Sequence, residues 1–279
     1  MPNDTPPDAD SLLLWSTERG VTTLTMNNPR RLNGWTMEMM AALKAGLKKA
    51  ASDEATQAVI LTGSDPYYCA GVNLGATLKL THPARLHQMI RQHNQSLFDA
   101  FLNFPKPILA AVNGPAIGAA VTSATLCDAI IASERATFNT PFGKLGVPPE
   151  GCSSVLFEKL VGVQAQRILG QEGWKPTGQE ALDIGLADHL SPHEQLKGRA
   201  QAIAESWIEK GRTRSYRGGM SQEELKRINA QESVAVATAF LSPPFLIGQF
   251  QFLWSKGKRG PAMMFLMLRV TQPIWGLML

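Results

Sequence analysis

The residues of this chain best suited to chemistry sit in three short runs. The first is Leu145-Gly146-Val147-Pro148-Pro149-Glu150-Gly151-Cys152-Ser153-Ser154. A proline pair fixes the backbone before the acid and a glycine frees it afterwards, so Glu150 is held at a bend that opens a helix. Acids favour first helical turns, through the macrodipole and the uncapped amides, so Glu150 reads either as an ordinary helix-start acid or as a placed proton carrier. The other two runs are Gly63-Ser64-Asp65-Pro66-Tyr67-Tyr68-Cys69-Ala70-Gly71-Val72-Asn73-Leu74 and Asn113-Gly114-Pro115-Ala116-Ile117-Gly118-Ala119-Ala120. Each follows a short apolar run, and its glycines and small side chains let a ligand approach the backbone amides. The Ala119 amide falls at a predicted helix start, where developing negative charge is favoured. Two such donors could converge on an oxyanion, although either run alone fits a packing turn between strand and helix equally well.

Positioning these runs requires strands that alternate with helices. Residues 12–17 and 21–26 read as a hairpin about Arg19-Gly20. Residues 36–51 place Met39, Met40, Leu43 and Leu47 at helical spacing, with lysines elsewhere around the wheel. Apolar runs at 58–62, 108–112 and 129–132 are separated by helical stretches near 87–104 and 118–126. The alternation predicts an α/β protein whose ligands gather in the loops after Thr62 and Val112, at the carboxyl ends of strands. Thr177 with Glu180, and Ser221 with Glu224, match the capping box and predict helix starts; the last third of the chain reads as helical. Residues 212–219 are polar and glycine-bearing and read as a hinge. The expected organisation is a disordered lead-in at 1–10, a core at 11–211 and a C-terminal helical oligomerisation region at 212–279.

A chain of 279 residues with 44 % hydrophobic content can bury a full core. Its net charge of +4 comes from scattered basic residues, and no arm or stripe suggests nucleic acid. Cys69, Cys127 and Cys152 lack metal-ligand spacing and fit packing roles in a reducing compartment. His82, His87 and His93 show no paired ligand pattern, and no metal is expected. Asp128 reads as a structural hydrogen-bonding group. The N-terminus has no signal or transit pattern, so a cytoplasmic location is expected. Residues 233–255 carry no charge, and a second apolar stretch follows Lys256-Gly257-Lys258-Arg259. Pro243-Pro244, Gln249, Gln251 and Arg269 interrupt these stretches, which disfavours a membrane span. Burial against a neighbouring subunit is the first expectation and a membrane-surface contact the second.

Taken together, Asn28-Pro29-Arg30-Arg31-Leu32-Asn33, Cys69-Ala70-Gly71-Val72-Asn73-Leu74 and Ala111-Val112-Asn113-Gly114-Pro115-Ala116-Ile117-Gly118 resemble the enoyl-CoA hydratase/isomerase (crotonase) superfamily. The resemblance covers about residues 12–190 and implies a spiral of strand-strand-helix turns. It implies an acyl-CoA substrate whose thioester carbonyl is polarised by two backbone amides, by motif position those of Ala70 and Ala119. It also puts the basic turn Arg30-Arg31 near the CoA phosphates or ribose, and Cys69, Gly71, Gly118 and Phe142 at the substrate. Asn73 stands where the family commonly has aspartate.

Family members that hydrate enoyl-CoA carry two glutamates, at the positions of Thr122 and Phe142 here. Neither side chain can activate water or deliver a proton near neutral pH, so hydration is expected to be weak or absent. Glu150 falls where the isomerases carry their single glutamate, and Pro149-Glu150-Gly151-Cys152-Ser153-Ser154 is similar to the peroxisomal-type delta-3, delta-2 isomerases. The resemblance thus implies an enoyl-CoA isomerase of fatty acid β-oxidation that moves a 3-enoyl double bond to the 2 position, with Glu150 as its one base. Phe142 would wall an apolar pocket that raises the pKa of Glu150. Coenzyme A is expected only as part of the substrate, with no further cofactor, and the assembly as a homotrimer or hexamer. A catalytically reduced acyl-CoA-binding module and another thioester-dienolate enzyme of the superfamily stay open as alternatives.

Overall fold

The computed structural model describes residues 12–72, 81–170 and 172–276; the 1–10 lead-in and Asn73 lie outside them. Strands β1 (Leu13–Glu18) and β2 (Val21–Met26) pair antiparallel about Arg19-Gly20, as the sequence suggests. Helix α1 (Met37–Ser52) starts where the Thr36 side chain accepts the Met39 N–H at 3.3 Å. After β3 (Ala58–Gly63) comes α2 (Pro83–Leu102), which begins one turn before the expected start. Proline suits the first helical position, and because that first turn is largely exposed, apolar spacing becomes visible only from Leu86. Strands β4 (Ile108–Val112) and β5 (Ala116–Ile117) lead into the short α3 (Ala119–Thr125), followed by β6 (Ala129–Ser133), β7 (Phe138–Asn139) and α4 (Phe142–Leu145). Next are α5 (Ser153–Val161), α6 (Gln164–Leu169), α7 (Gly178–Asp183), β8 (His189–Ser191) and α8 (Leu196–Glu209). The chain then runs through α9 (Gln222–Phe240), α10 (Pro243–Ser255) and α11 (Arg259–Trp275). Both expected capping boxes form, opening α7 and α9.

The main sheet has the order β1-β2-β3-β4-β6-β8, parallel from β2 onward, and β5 pairs with β7 in a separate parallel ribbon. Strand period two divides the apolar residues between its faces. Val59, Leu61, Ile108, Ala110, Val112, Ile130 and Ala132 join α1 and α2 in the larger core. Ala58, Ile60, Leu109, Ala111, Ala129 and Ile131 meet Leu196, Ala200, Ala204 and Trp207 of α8. Coverage on both faces explains why β3, β4 and β6 read as continuous apolar runs rather than alternating ones.

The segment read as a hinge is tied to the core. The Arg214 guanidinium donates to Asp128 Oδ2 at 2.8 Å and to the Leu126 carbonyl at 2.6 Å, while Asp128 also accepts the Ser215 and Ile108 amides. Tyr216 donates to the Leu102 carbonyl at 2.5 Å, and Arg217 pairs with Asp188. Met220, Leu225 and Ile228 belong to the larger core, so the boundary at 212 falls inside one packed unit. Helices α10 and α11 build a separate cluster with Val147, around Phe245, Leu246, Leu253, Ala262 and Phe265. Outside that hairpin, Met263, Met267, Val270 and Ile274 form an exposed apolar stripe on α11. No single helix among the described residues is long and apolar enough to cross a membrane.

Asp128 is 0 % exposed and its partner Arg214 7 %, so removing the acid strands a buried guanidinium. Asp128→Asn is expected to lower the unfolding free energy by roughly 3–5 kcal/mol, read from urea denaturation. A loss below about 1 kcal/mol would mean that solvent reaches Arg214 readily.

Candidate active site

The loops after β3 and β4 are locked to each other before any ligand is considered. Asn33 is fully buried; its side chain donates to the Ser64 and Tyr67 carbonyls at 2.6 and 2.7 Å and accepts the Asn28 N–H at 2.8 Å. Asn113 accepts the Gly63 N–H at 3.1 Å and donates to Asp65 at 2.8 Å. Cys69 N–H then donates to the Pro115 carbonyl, and Ile117 N–H to the Cys69 carbonyl, which sets the two loops in parallel register. Gly71 sits in that register at φ +82°, where an added Cβ would come within 2.6 Å of the Ile117 oxygen. The site therefore demands glycine for both conformation and space.

This register corrects one expected donor. The Ala70 N–H already donates to the Leu32 carbonyl at 2.9 Å, and the Gly71 N–H is directed at Cys69 Sγ at 3.3 Å. The next amide, that of Val72, has no hydrogen-bond partner among the described residues. Gly71, at φ +82°, breaks the extended backbone between Ala70 and Val72, so the Val72 amide is not bound to the side that the Ala70 amide faces. On the second loop, Gly118 N–H donates to the Asn139 carbonyl and Val121 N–H to Gly118, leaving Ala119 N–H, at the first residue of α3, unpartnered among the described residues. Gly118 has φ +58° and open space where a Cβ would stand. The amides left without a partner on the two loops, among the described residues, are thus those of Val72 and Ala119.

Glu150 is 8 % exposed and does not cap α5. Gly151 and Cys152 both take left-handed conformations, at φ +64° and +66°, and turn the acid away from the helix start. Asn94 on α2 donates to Glu150 Oε2 at 2.5 Å, and Ser233 on α9 donates to Asn94 Oδ1 at 2.8 Å. The cap comes instead from α9: Glu232 accepts the Cys152 N–H at 2.6 Å and the Ser154 N–H at 2.9 Å. Burial pushes the pKa of Glu150 up to about 7, with Asn94 working against the rise and the charge of Glu232 adding to it. The Gly151 backbone lies against Phe98 and Thr122 Oγ1, and Thr122 stands one turn after Ala119. The loop bearing the acid is thereby seated on the first turn of α3.

The remaining expected residues are more dispersed. Arg30 and Arg31 lie exposed in the 3-10 turn Pro29–Arg31, directly before Leu32, whose carbonyl anchors the first loop. Phe142 is buried at the start of α4. Cys69 and Cys127 have thiols pushed up to about 12 by burial, and Cys152 is raised as well, with Sγ against the Leu225 carbonyl. None has the lowered pKa of a reactive thiol. His87 meets Thr238, and His93 meets the Met89 carbonyl. Asn94, Glu232 and Ser233 were not singled out from the sequence. They lie 56, 82 and 83 positions from Glu150 along the chain, and no local pattern marks them.

The mostly parallel sheet, the paired glycine loops and the buried Glu150 have counterparts in known proteins. Residues 16–231 match the description of the enoyl-CoA hydratase/isomerase family. The chain belongs to the enoyl-CoA hydratase/isomerase family. Within it, rat enoyl-CoA delta isomerase 2 is 30 % identical over 264 residues, covering 88 % of this chain and 64 % of the relative. Mouse peroxisomal enoyl-CoA delta isomerase 3 is 29 % identical, covering 88 % and 79 %. The chain therefore spans less than two thirds of the rat relative's length. An enoyl-CoA hydratase/isomerase crystal structure from Pseudoalteromonas atlantica T6c superposes with a TM-score of 0.74 at 28 % identity, covering 88 % of this chain and 97 % of that one. The crotonase-like α/β fold expected from sequence is the fold observed.

A carboxyl whose pKa rises from 4.5 to about 7 on folding binds its proton more tightly in the native state. Its contribution to stability is present below the unfolded value and is lost as pH rises through about 7. The loss amounts to about 3 kcal/mol. Urea unfolding at about pH 5 and about pH 8 should show a fall for the native protein that is visibly smaller for Glu150→Gln. Equal pH slopes in the two proteins would place the acid in water.

Proposed function

We propose that this protein is an enoyl-CoA isomerase that moves a 3-enoyl thioester double bond into conjugation at the 2 position, with Glu150 as a one-base proton shuttle. The observation that carries the reading is a single available acid, buried and raised to about 7, seated on the helix turn that presents the Ala119 amide. The second buried acid, Glu232, has both oxygens on backbone N–H groups. The carbon between the thioester and the double bond is acidified by both. The Glu150 carboxylate removes its proton, the C–H electron pair spreads through the dienolate to the thioester oxygen, and the same proton returns to the far carbon. Neither water nor an oxidant enters, so one carboxyl suffices.

The dienolate oxygen would be held by the Val72 and Ala119 amides, which need no reorganisation because the loops are already cross-linked by backbone hydrogen bonds. Hydration would need a second acid or base, and Thr122 and Phe142 supply neither. Arg30 and Arg31 would meet the CoA phosphates as exposed charges, and coenzyme A enters only as part of the substrate.

The decisive experiment is turnover of a panel of 3-enoyl-CoA thioesters by native protein and Glu150→Gln. Loss of the base is expected to lower kcat by about 100-fold to 10,000-fold. Because the base must be ionised, native kcat should rise with pH through an inflection near 7. Full turnover by Glu150→Gln sinks the assignment. Acyl-CoA binding without turnover at any chain length favours a binding module. Replacing Arg30 and Arg31 with alanine is expected to raise KM by about fivefold per arginine, the scale of an exposed ion pair, with kcat retained. An unchanged KM would take the arginines out of substrate binding.

A further inference from the structure

The carboxylate of Glu232 has no evident reason to be buried unless it serves the loop it touches. It is 6 % exposed, and among the described residues it meets no basic side chain. Its two oxygens take the Cys152 and Ser154 amides, the uncapped donors of α5, whose own cap residue offers no side-chain bond. The residues so held include the left-handed Cys152, two positions after Glu150. The neighbouring Ser233 fixes Asn94, which in turn fixes the Glu150 carboxyl. Two consecutive residues of α9 thus hold the surroundings of the acid, Glu232 through the backbone of the turn that follows it and Ser233 through its hydrogen-bond donor Asn94.

We infer that Glu232 is a positioning residue for proton transfer: its carboxylate holds the turn that presents Glu150, and its negative charge strengthens Glu150 as a base. This rests on the reading of Glu150 as the catalytic base. The titratable groups facing Glu232 are Glu150 on the preceding loop and the Cys152 thiol at the start of α5, and Asp99 of α2 acts on the same thiol. Burial raises the proton affinity of Glu232 too, but both of its oxygens accept backbone N–H bonds, which favours the carboxylate form. A second negative charge in a poorly hydrated site disfavours ionisation of the first. The role differs from a purely structural cap in that it predicts a shift of titration and not only of stability.

The test compares native protein, Glu232→Gln and Glu232→Asp, using the titration of 13C-labelled glutamate carboxyls with Glu150→Gln as the assignment control, and kcat and KM for 3-enoyl-CoA across pH. Glu232→Gln removes the charge and keeps the shape. The Glu150 midpoint is expected to fall by about one pH unit, the acid limb of kcat to move with it, and plateau kcat to drop on the order of tenfold at nearly constant KM. Glu232→Asp keeps the charge and shortens the reach, so it should lower kcat while leaving the Glu150 midpoint close to native. It also provides the measurement if the glutamine variant does not fold. An unchanged Glu150 midpoint in folded Glu232→Gln overturns the inference, as does a midpoint displaced equally by aspartate. If native protein turns over no substrate, the isomerase reading fails, and the carboxyl titration still decides separately whether Glu232 governs the proton affinity of Glu150.

Discussion

The dehydration of one carboxyl group is the constraint around which the site is arranged. A carboxylate removed from water must find donors or hold its proton, and Glu150 at 8 % exposure has one side-chain donor, Asn94. The usual refuge of an acid at a helix start is the helix's own amides, but here those amides are already taken by Glu232. Glu150 is left with an environment that makes its proton worth keeping near neutrality and available for exchange. The long polar seam between α2 and α9 serves the same arrangement. Asn229 bonds the Gln95 carbonyl and Asp99, Gln222 bonds the Leu102 carbonyl, and between them the two helices are held in the register that brings Ser233 to Asn94.

The opposite wall of the site presents backbone amides held by backbone pairing and two asparagine side chains. Parallel strands β3 and β4 end side by side, and their loops continue the pairing through Cys69 and Ile117 after the strands have stopped. Two buried asparagines, Asn33 and Asn113, satisfy the amides and carbonyls that such turns would otherwise leave bare. Rigidity at this point matters because amides that must reorganise to meet a developing charge stabilise it less. The fold supplies that rigidity before substrate arrives.

Much of this was legible in the residues. The hairpin about Arg19-Gly20, the capping boxes at Thr177 and Ser221, and the apolar runs of β3, β4 and β6 follow from local rules, and local structure obeyed them. The Glu150 bend was visible because prolines and glycine mark it. What the chain did not reveal depends on partners remote in sequence. Which amide of Ala70-Gly71-Val72 is available is decided by the Leu32 carbonyl, which takes that of Ala70, and by the left-handed turn at Gly71 that follows. Glu232 and Ser233 sit in a helix whose sequence is ordinary, and their roles appear only when α9 lies on α2. The ties of 212–219 to the core were hidden for the same reason, since Arg214 looks solvated until Asp128 is placed beneath it.

The contact between Gly151 and Thr122 has a bearing on how chemistries within this fold can be exchanged. Thr122 is fully buried, and its hydroxyl, together with Phe98, fills the space that any side chain at Gly151 would require. A glutamate in place of Thr122 would have to push into the same turn that carries Glu150. Acquiring a second acid is therefore not a matter of one codon: the loop must first withdraw, and in withdrawing it would take the existing base with it. One-acid and two-acid versions of the site are in this sense separate packings, and passage between them in evolution or in the laboratory calls for paired changes on α3 and on the turn before α5.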